Sequence, residues 1–218
     1  MSGEDIYEKS QKTLKEIIKA QKKFGFEIIL IGGWAVYCYN PYMKSRDIDF
    51  LIKKEDFWKL ENFLDSIGFR RTGEVLEKKG FAMLVGDDKI ELDVYDEKIG
   101  GLKVKEIFNK KLFIPRNFND EKVSVVNLNI LTALKIISSA DRIGTAKGVK
   151  DMSDILAIFD KFYDKIDFER VNILADKARV KQVVSVVFSE YKKIKNLYPM
   201  EFLKFEKIRK SLKSRYYF

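Results

Sequence analysis

Two aspartates one residue apart, Asp47 and Asp49, follow a Gly32-Gly33 pair along the chain. An apolar run, Glu27-Ile28-Ile29-Leu30-Ile31, leads into the glycines, and Phe50-Leu51-Ile52 follows the second aspartate. On a strand, positions i and i+2 leave by the same face, so the two carboxylates project together. Carboxylates held that close repel each other unless a cation sits between them. Hard oxygen donors at this spacing suit Mg²⁺, which takes one or two carboxylates together with phosphate oxygens and water. Glycines at a strand-to-helix turn carry no Cβ, so a phosphate can approach the backbone N–H groups of a helix N-terminus. The chemistry this spacing points to is metal-assisted transfer on a phosphate. Each half is common alone, a tight turn or a solvated strand end; the combination, each half beside an apolar strand, is not.

The rest of the chain narrows the means. It has 218 residues and no histidine, which removes imidazole acid–base catalysis, His-based triads and the usual zinc sites. Catalysis must run on carboxylates, lysines and bound metal. Cys38 is the single cysteine, so no internal disulfide can form, as expected of a reducing cytoplasm. No apolar run approaches the roughly 18 residues of a membrane span, and the first five residues, Met-Ser-Gly-Glu-Asp, lack the apolar core of a secretion signal. A cytoplasmic protein without a membrane partner is therefore expected. Residues 177–218 hold twelve Lys/Arg and three Asp/Glu, which accounts for the whole net charge of +9. A basic end on a neutral body suits an anionic partner, nucleic acid first; the competing reading is a solvated lysine-rich surface.

Hydrophobic periodicity predicts the elements that must hold these residues. Residues 5–24 read as an amphipathic helix, 27–31 as a buried strand, 34–39 as a short helix stopped by Pro41, 47–52 as a strand and 55–66 as a helix. Short strands are expected at 74–78, 81–85 and 89–95, the last two as a hairpin across Gly86-Asp87-Asp88, with two more at 111–114 and 122–126. Helices follow at 129–142, 151–162, 167–176, 179–195 and 200–213. In Ile90-Glu91-Leu92-Asp93-Val94-Tyr95 apolar residues alternate with Glu91, Asp93 and Tyr95, giving one polar face. The expected class is α+β: a mixed sheet flanked by helices over 1–126, then a helical bundle over 127–218, basic toward its end.

Ile31-Gly32-Gly33 followed by Asp47-Ile48-Asp49-Phe50 resembles the nucleotidyltransferase superfamily typified by DNA polymerase beta and the antibiotic nucleotidyltransferases. Lys44, Ser45 and Arg46 loosely fit the basic or hydroxyl residue often found before the first aspartate. The resemblance implies a third carboxylate on a neighbouring strand, Asp93, with Glu91 as the alternative. In the helical half, Lys135, Arg142, Lys150-Asp151 and Asp154 resemble an element of the abortive-infection-type nucleotidyltransferase toxins. Asp151 and Asp154 are three apart and share a helix face.

By this resemblance Asp47, Asp49 and Asp93 are the catalytic and metal-holding residues, for two Mg²⁺ ions. Gly32, Gly33, Ser45 and Lys135 meet the nucleotide, and Arg46, Asp151 and Asp154 support the site. For Arg142 and Asp151 an internal ion-pair network between helices is the competing reading. The implied activity moves a nucleoside monophosphate from an NTP such as ATP to a hydroxyl. The basic end favours RNA, a tRNA 3′ end by analogy, over the cationic drugs that antibiotic-modifying relatives accept. A non-catalytic nucleotide sensor or toxin–antitoxin partner is the rival class. Cys38 and the aromatic Trp34, Tyr37 and Tyr39 read as packing, although the aromatics could stack a nucleobase. Tyr216-Tyr217-Phe218 is expected to dock or fray.

Overall fold

The computed structural model describes residues 5–75 and 77–218. The chain divides into two compact units, Met1–Asn127 and Leu128–Phe218.

The first unit is built on a seven-stranded mixed sheet, in the order β3-β4-β5-β2-β1-β9-β8. Its strands are β1 (Ile28–Ile31), β2 (Ile48–Ile52), β3 (Arg70–Val75), β4 (Lys78–Val85), β5 (Asp88–Tyr95), β8 (Phe113–Phe118) and β9 (Glu121–Val126); β6 (Lys98–Ile99) and β7 (Leu102–Lys103) form a separate small hairpin. Helix α1 (Ile6–Phe24) forms because Leu14, Ile17 and Ile18 recur at helical spacing and turn one stripe inward. Asp5 accepts the Tyr7 N–H at its start, and Gly25, in the left-handed region, closes its end. All four residues of β1 are buried, as in a strand covered on both faces. β2 lies antiparallel to β1 and parallel to β5, which makes these three strands the floor of the candidate site. The short helix α2 (Gly32–Tyr39) leaves directly from the end of β1, and α3 (Phe57–Ser66) follows β2 through a turn of 3-10 helix.

The second unit is helical: α5 (Leu128–Asp141), α6 (Ala146–Phe162), α7 (Phe168–Ala175), α8 (Lys177–Ser189), α9 (Tyr191–Ile194) and α10 (Phe202–Tyr216). Its core includes Leu131, Ile136, Ile155, Ile158, Phe159, Val180, Val183 and Leu212, each removed from water and each contributing roughly 1.5–3 kcal/mol.

Several sequence expectations shift. The 34–39 helix begins at Gly32, so both glycines are its first residues rather than a turn before it. The 74–78 strand spans a turn instead: β3 ends at Val75 and β4 starts at Lys78, while Leu76, like residues 1–4, lies outside the described residues. The 151–162 helix starts at Ala146, because Thr145 Oγ accepts the Gly148 N–H and caps it. The 179–195 helix is interrupted at Glu190. The β6–β7 hairpin and α4 (Val104–Asn109) were not expected; α4 is only six residues long, too short for periodicity to register.

Candidate active site

The pairing register places the carboxylates. In the parallel β2–β5 pair Asp49 lies opposite Asp93, flanked by the Ile48–Leu92 and Phe50–Val94 pairs. Ile48, Phe50, Leu92 and Val94 are buried, so alternation leaves Asp49 and Asp93 on the opposite, half-buried face. Asp47 immediately precedes β2, and Glu91 is two residues before Asp93 on the same face of β5. In the antiparallel β1–β2 pair Asp49 lies opposite Ile31, the residue before the glycines.

The glycines are needed for contact as well as for conformation. Gly32 has φ +67°, and a Cβ there would run into the Asp49 carboxylate, 2.8 Å from its Cγ. A Cβ on Gly33 would stand 2.7 Å from Ser45 Oγ. Ser45 is buried, so its hydroxyl is fixed beside the first turn of α2. No side chain caps that helix. Its first-turn N–H groups have no intrahelical acceptors, which is the arrangement that takes an anion.

Basic side chains attend the carboxylates. Arg46 Nε donates to Asp47 Oδ1 at 3.2 Å, and Lys78 Nζ donates to Asp93 Oδ2 at 2.6 Å. Lys89 pairs with Glu91 at 2.5 Å. The hydrogen bond and charge of Asp47 raise the Arg46 guanidinium above its ordinary range, with Glu91 adding to the effect. Lys78 is the site side chain that the sequence reading passes over, because the 74–78 assignment hid its register. The signal was present: pairing Val85 with Asp88 across the hairpin turn sets Gly80 opposite Asp93. That puts Lys78, two residues before Gly80, on the Asp93 face.

These residues fit a divalent cation shared with a nucleotide. Among the described residues no group of three or more Asp, Glu, Cys or His is gathered closely enough to hold an ion, so the carboxylates here are a partial set. The donors on this face are hard carboxylate oxygens, and the absence of a side chain at Gly32 lets the Asp49 carboxylate pack directly against the start of α2. Mg²⁺, which completes its shell with phosphate oxygens and water, is the cation that such a partial set suits.

The aromatic residues of α2 are packing. Trp34 is fully buried and donates its Nε1–H to Ser10 Oγ at 3.1 Å, and Tyr39 donates its hydroxyl to the Val126 carbonyl at 2.9 Å. Tyr37 packs edge-on against Trp34. Burial pushes the Cys38 thiol up to about 12, so it is an inert side chain.

In the second unit, Lys135, Asp151 and Asp154 form one buried cluster. Lys135 Nζ lies 2.5 Å from Asp154 Oδ2 and 3.2 Å from Asp151 Oδ1. Asp151 Oδ2 also accepts from Ser138 Oγ at 3.0 Å and Arg142 Nη1 at 3.2 Å. The basic end carries Lys207, Lys210 and Lys213 exposed on α10, whereas Lys204 pairs with Asp160 at 3.0 Å. Phe202 and Leu203, at the start of α10, are exposed, whereas Phe205 is buried. Of the terminal aromatics, Tyr216 is buried and Phe218 stacks on Phe188, whereas Tyr217 stands exposed. Among the described residues no helix is long and apolar enough to cross a membrane.

No protein-family profile matches the sequence, and no curated protein matches it. Solved structures do resemble the fold. An antigenic nucleotidyltransferase-like protein from Paracoccidioides brasiliensis superposes with a TM-score of 0.53 at 15% identity, over 87% of this chain and 92% of that one. The antibiotic-resistance factor ANT(2″)-Ia, solved in complex with adenylyl-2″-tobramycin, superposes with a TM-score of 0.55 at 14% identity, over 83% of this chain and 98% of that one. At these identities the likeness is one of fold.

Proposed function

The chain has the nucleotidyltransferase fold, and from that premise we propose that it moves a nucleoside monophosphate from an NTP to a hydroxyl, in a Mg²⁺-dependent reaction that releases pyrophosphate. The observation that carries this reading is the cross-strand pairing of Asp49 with Asp93 beside Gly32, at the start of α2. Two carboxylates brought opposite each other on one sheet face concentrate negative charge, which suits a site that takes up cations.

The residues divide the work. Asp47 and Asp49 would hold the metal that carries the triphosphate. The α2 N-terminus and the Ser45 hydroxyl would receive phosphate oxygens, with Gly32 and Gly33 keeping the approach open. Asp93 would hold the acceptor-side metal or take the proton from the attacking hydroxyl. Bound Mg²⁺ supplies charge neutralisation and lowers the pKa of the hydroxyl it binds. Such a transfer asks the protein for positioning and electrostatics rather than covalent help, which a histidine-free site can give.

RNA is the acceptor class we favour, a tRNA 3′ end foremost, on the strength of the exposed Lys207, Lys210 and Lys213 on a helix in the strongly basic last segment. Cationic antibiotics call for an acidic pocket, and the charge balance here runs the other way. Incubation with each α-labelled NTP, Mg²⁺ and total RNA tests the assignment. Label joined covalently to RNA supports it; label on a small molecule or on protein, with none on RNA, overturns the acceptor.

A further inference from the structure

Asp47, Glu91 and Asp93 are each held by a basic side chain: Asp47 by Arg46, Glu91 by Lys89 and Asp93 by Lys78. The Lys78–Asp93 contact is the one that bears on a metal, because Asp93 is the cross-strand partner of Asp49. Lys78 belongs to β4, where the register sets Gly80 opposite Asp93. A Cβ on Gly80 would meet Thr72 Oγ1 at 2.6 Å and come within 3.9 Å of Asp93 Oδ1. Gly80 therefore adds no side chain of its own beside Asp93 Oδ1, while the Lys78 ammonium takes Oδ2. Lys78 keeps 42% of its side chain exposed, against 23% for Asp93. A pair open to water to that degree contributes little stability and exchanges readily.

Resting on the transferase reading above, we propose that Lys78 is a cationic place-holder. It neutralises Asp93 while no metal is bound and is displaced when the metal–nucleotide enters. Displacement is a matter of charge. A divalent ion on the Asp93 carboxylate draws on the same negative charge that holds the ammonium 2.6 Å from Oδ2, and repels the ammonium, so it competes with Lys78 for that place. The lysine stem is long and flexible, so the freed ammonium remains near the site as a donor to phosphate oxygens that arrive with the metal. Lys78 thus acts twice, first against premature metal binding and then in favour of the nucleotide.

The test measures binding rather than turnover, with Mn²⁺ alone as probe followed by electron paramagnetic resonance. Lys78→Met should bind Mn²⁺ roughly two- to fivefold more tightly than the unsubstituted chain, the range of a half-exposed ion pair. In an Asp93→Asn background the same substitution should change nothing, because the place-holder has lost its carboxylate. With an NTP present the order should reverse, Lys78→Met binding Mn–NTP more weakly. Equal Mn²⁺ affinities, a gain that persists in Asp93→Asn, or no Mn²⁺ bound by either chain overturns the proposal. Asp49→Asn separates the two ideas: if it leaves Mn²⁺ affinity unchanged, the transferase reading fails whatever Lys78 does.

Discussion

Both units pair lysine with aspartate, and the two pairs differ chiefly in how much water reaches them. Lys78–Asp93 in the sheet unit and Lys135–Asp154 in the helical unit have almost the same separation, 2.6 and 2.5 Å. The first pair is 42% and 23% exposed, the second only 9% and 4%. A half-exposed pair gains little from association and loses little on separation. A buried pair that loses one member strands an uncompensated charge, at a cost of about 3–5 kcal/mol. The sheet pair is thus suited to changing partners, and the helical pair to holding α5 and α6 in register. Lys135, which the family resemblance assigns to nucleotide phosphates, has its ammonium shared between Asp151 and Asp154.

The largest effect expected on that comparison is in chemistry. Asp49→Ala or Asp47→Ala should lower transfer by roughly a thousandfold or more, because each removes a carboxylate proposed to hold the metal. The thermal midpoint should hold within a degree or two, since both side chains are half-exposed. Activity retained in either variant, with the parent chain shown to need Mg²⁺, would remove these residues from the site.

The next effect is on stability. Lys135→Met should destabilise the helical unit by about 3–5 kcal/mol in denaturant titration, while Lys78→Met changes stability by less than about 1 kcal/mol. Equal effects would erase the distinction between the two pairs. Gly33→Val should weaken NTP binding about tenfold or more by calorimetry in a folded protein, because its side chain would displace Ser45 from the start of α2. Unchanged affinity would take the glycines out of the phosphate approach. The smallest effect expected per residue concerns the basic end. Replacing Lys207, Lys210 and Lys213 by Glu should reduce RNA affinity and flatten its salt dependence by up to about one log–log slope unit per lost phosphate contact. NTP binding should be unaffected. Lys204 is left intact in that variant because it pairs with Asp160. A salt response that does not change would point to solvated lysines and a different acceptor.

Much of the site could be read from the sequence because its signals are local. Gly32-Gly33 and Asp47-x-Asp49 lie next to apolar runs whose strand character is plain, and alternation alone put Asp93 and Glu91 on one face of β5. The hairpin across Gly86 was legible for the same reason. What the sequence could not convey is the order of strands. The pairing of β2 with β5, which brings Asp49 opposite Asp93, skips over β3 and β4, and no local pattern encodes such a crossover. Lys78 was missed because its strand was given the wrong start, and one misplaced turn conceals which face a side chain takes. In the helical unit the family resemblance points to Lys135, Asp151 and Asp154, but their burial depends on how α5 and α6 pack, which the spacing of charges does not reveal. The break at Glu190, between α8 and α9, falls in a continuous amphipathic pattern, and we have no physical account of it.

The central claim is that the half-exposed carboxylates of the sheet unit, and not the buried cluster of the helical unit, run a metal-dependent transfer. Pyrophosphate release from each NTP, measured with and without Mg²⁺ in the presence of total RNA, tests it most directly when the parent chain is compared with Asp49→Ala. The account predicts release from at least one NTP that requires Mg²⁺ and disappears in Asp49→Ala, although that variant melts at the same temperature as its parent. Release that survives Asp49→Ala, or no release from any NTP, would contradict it.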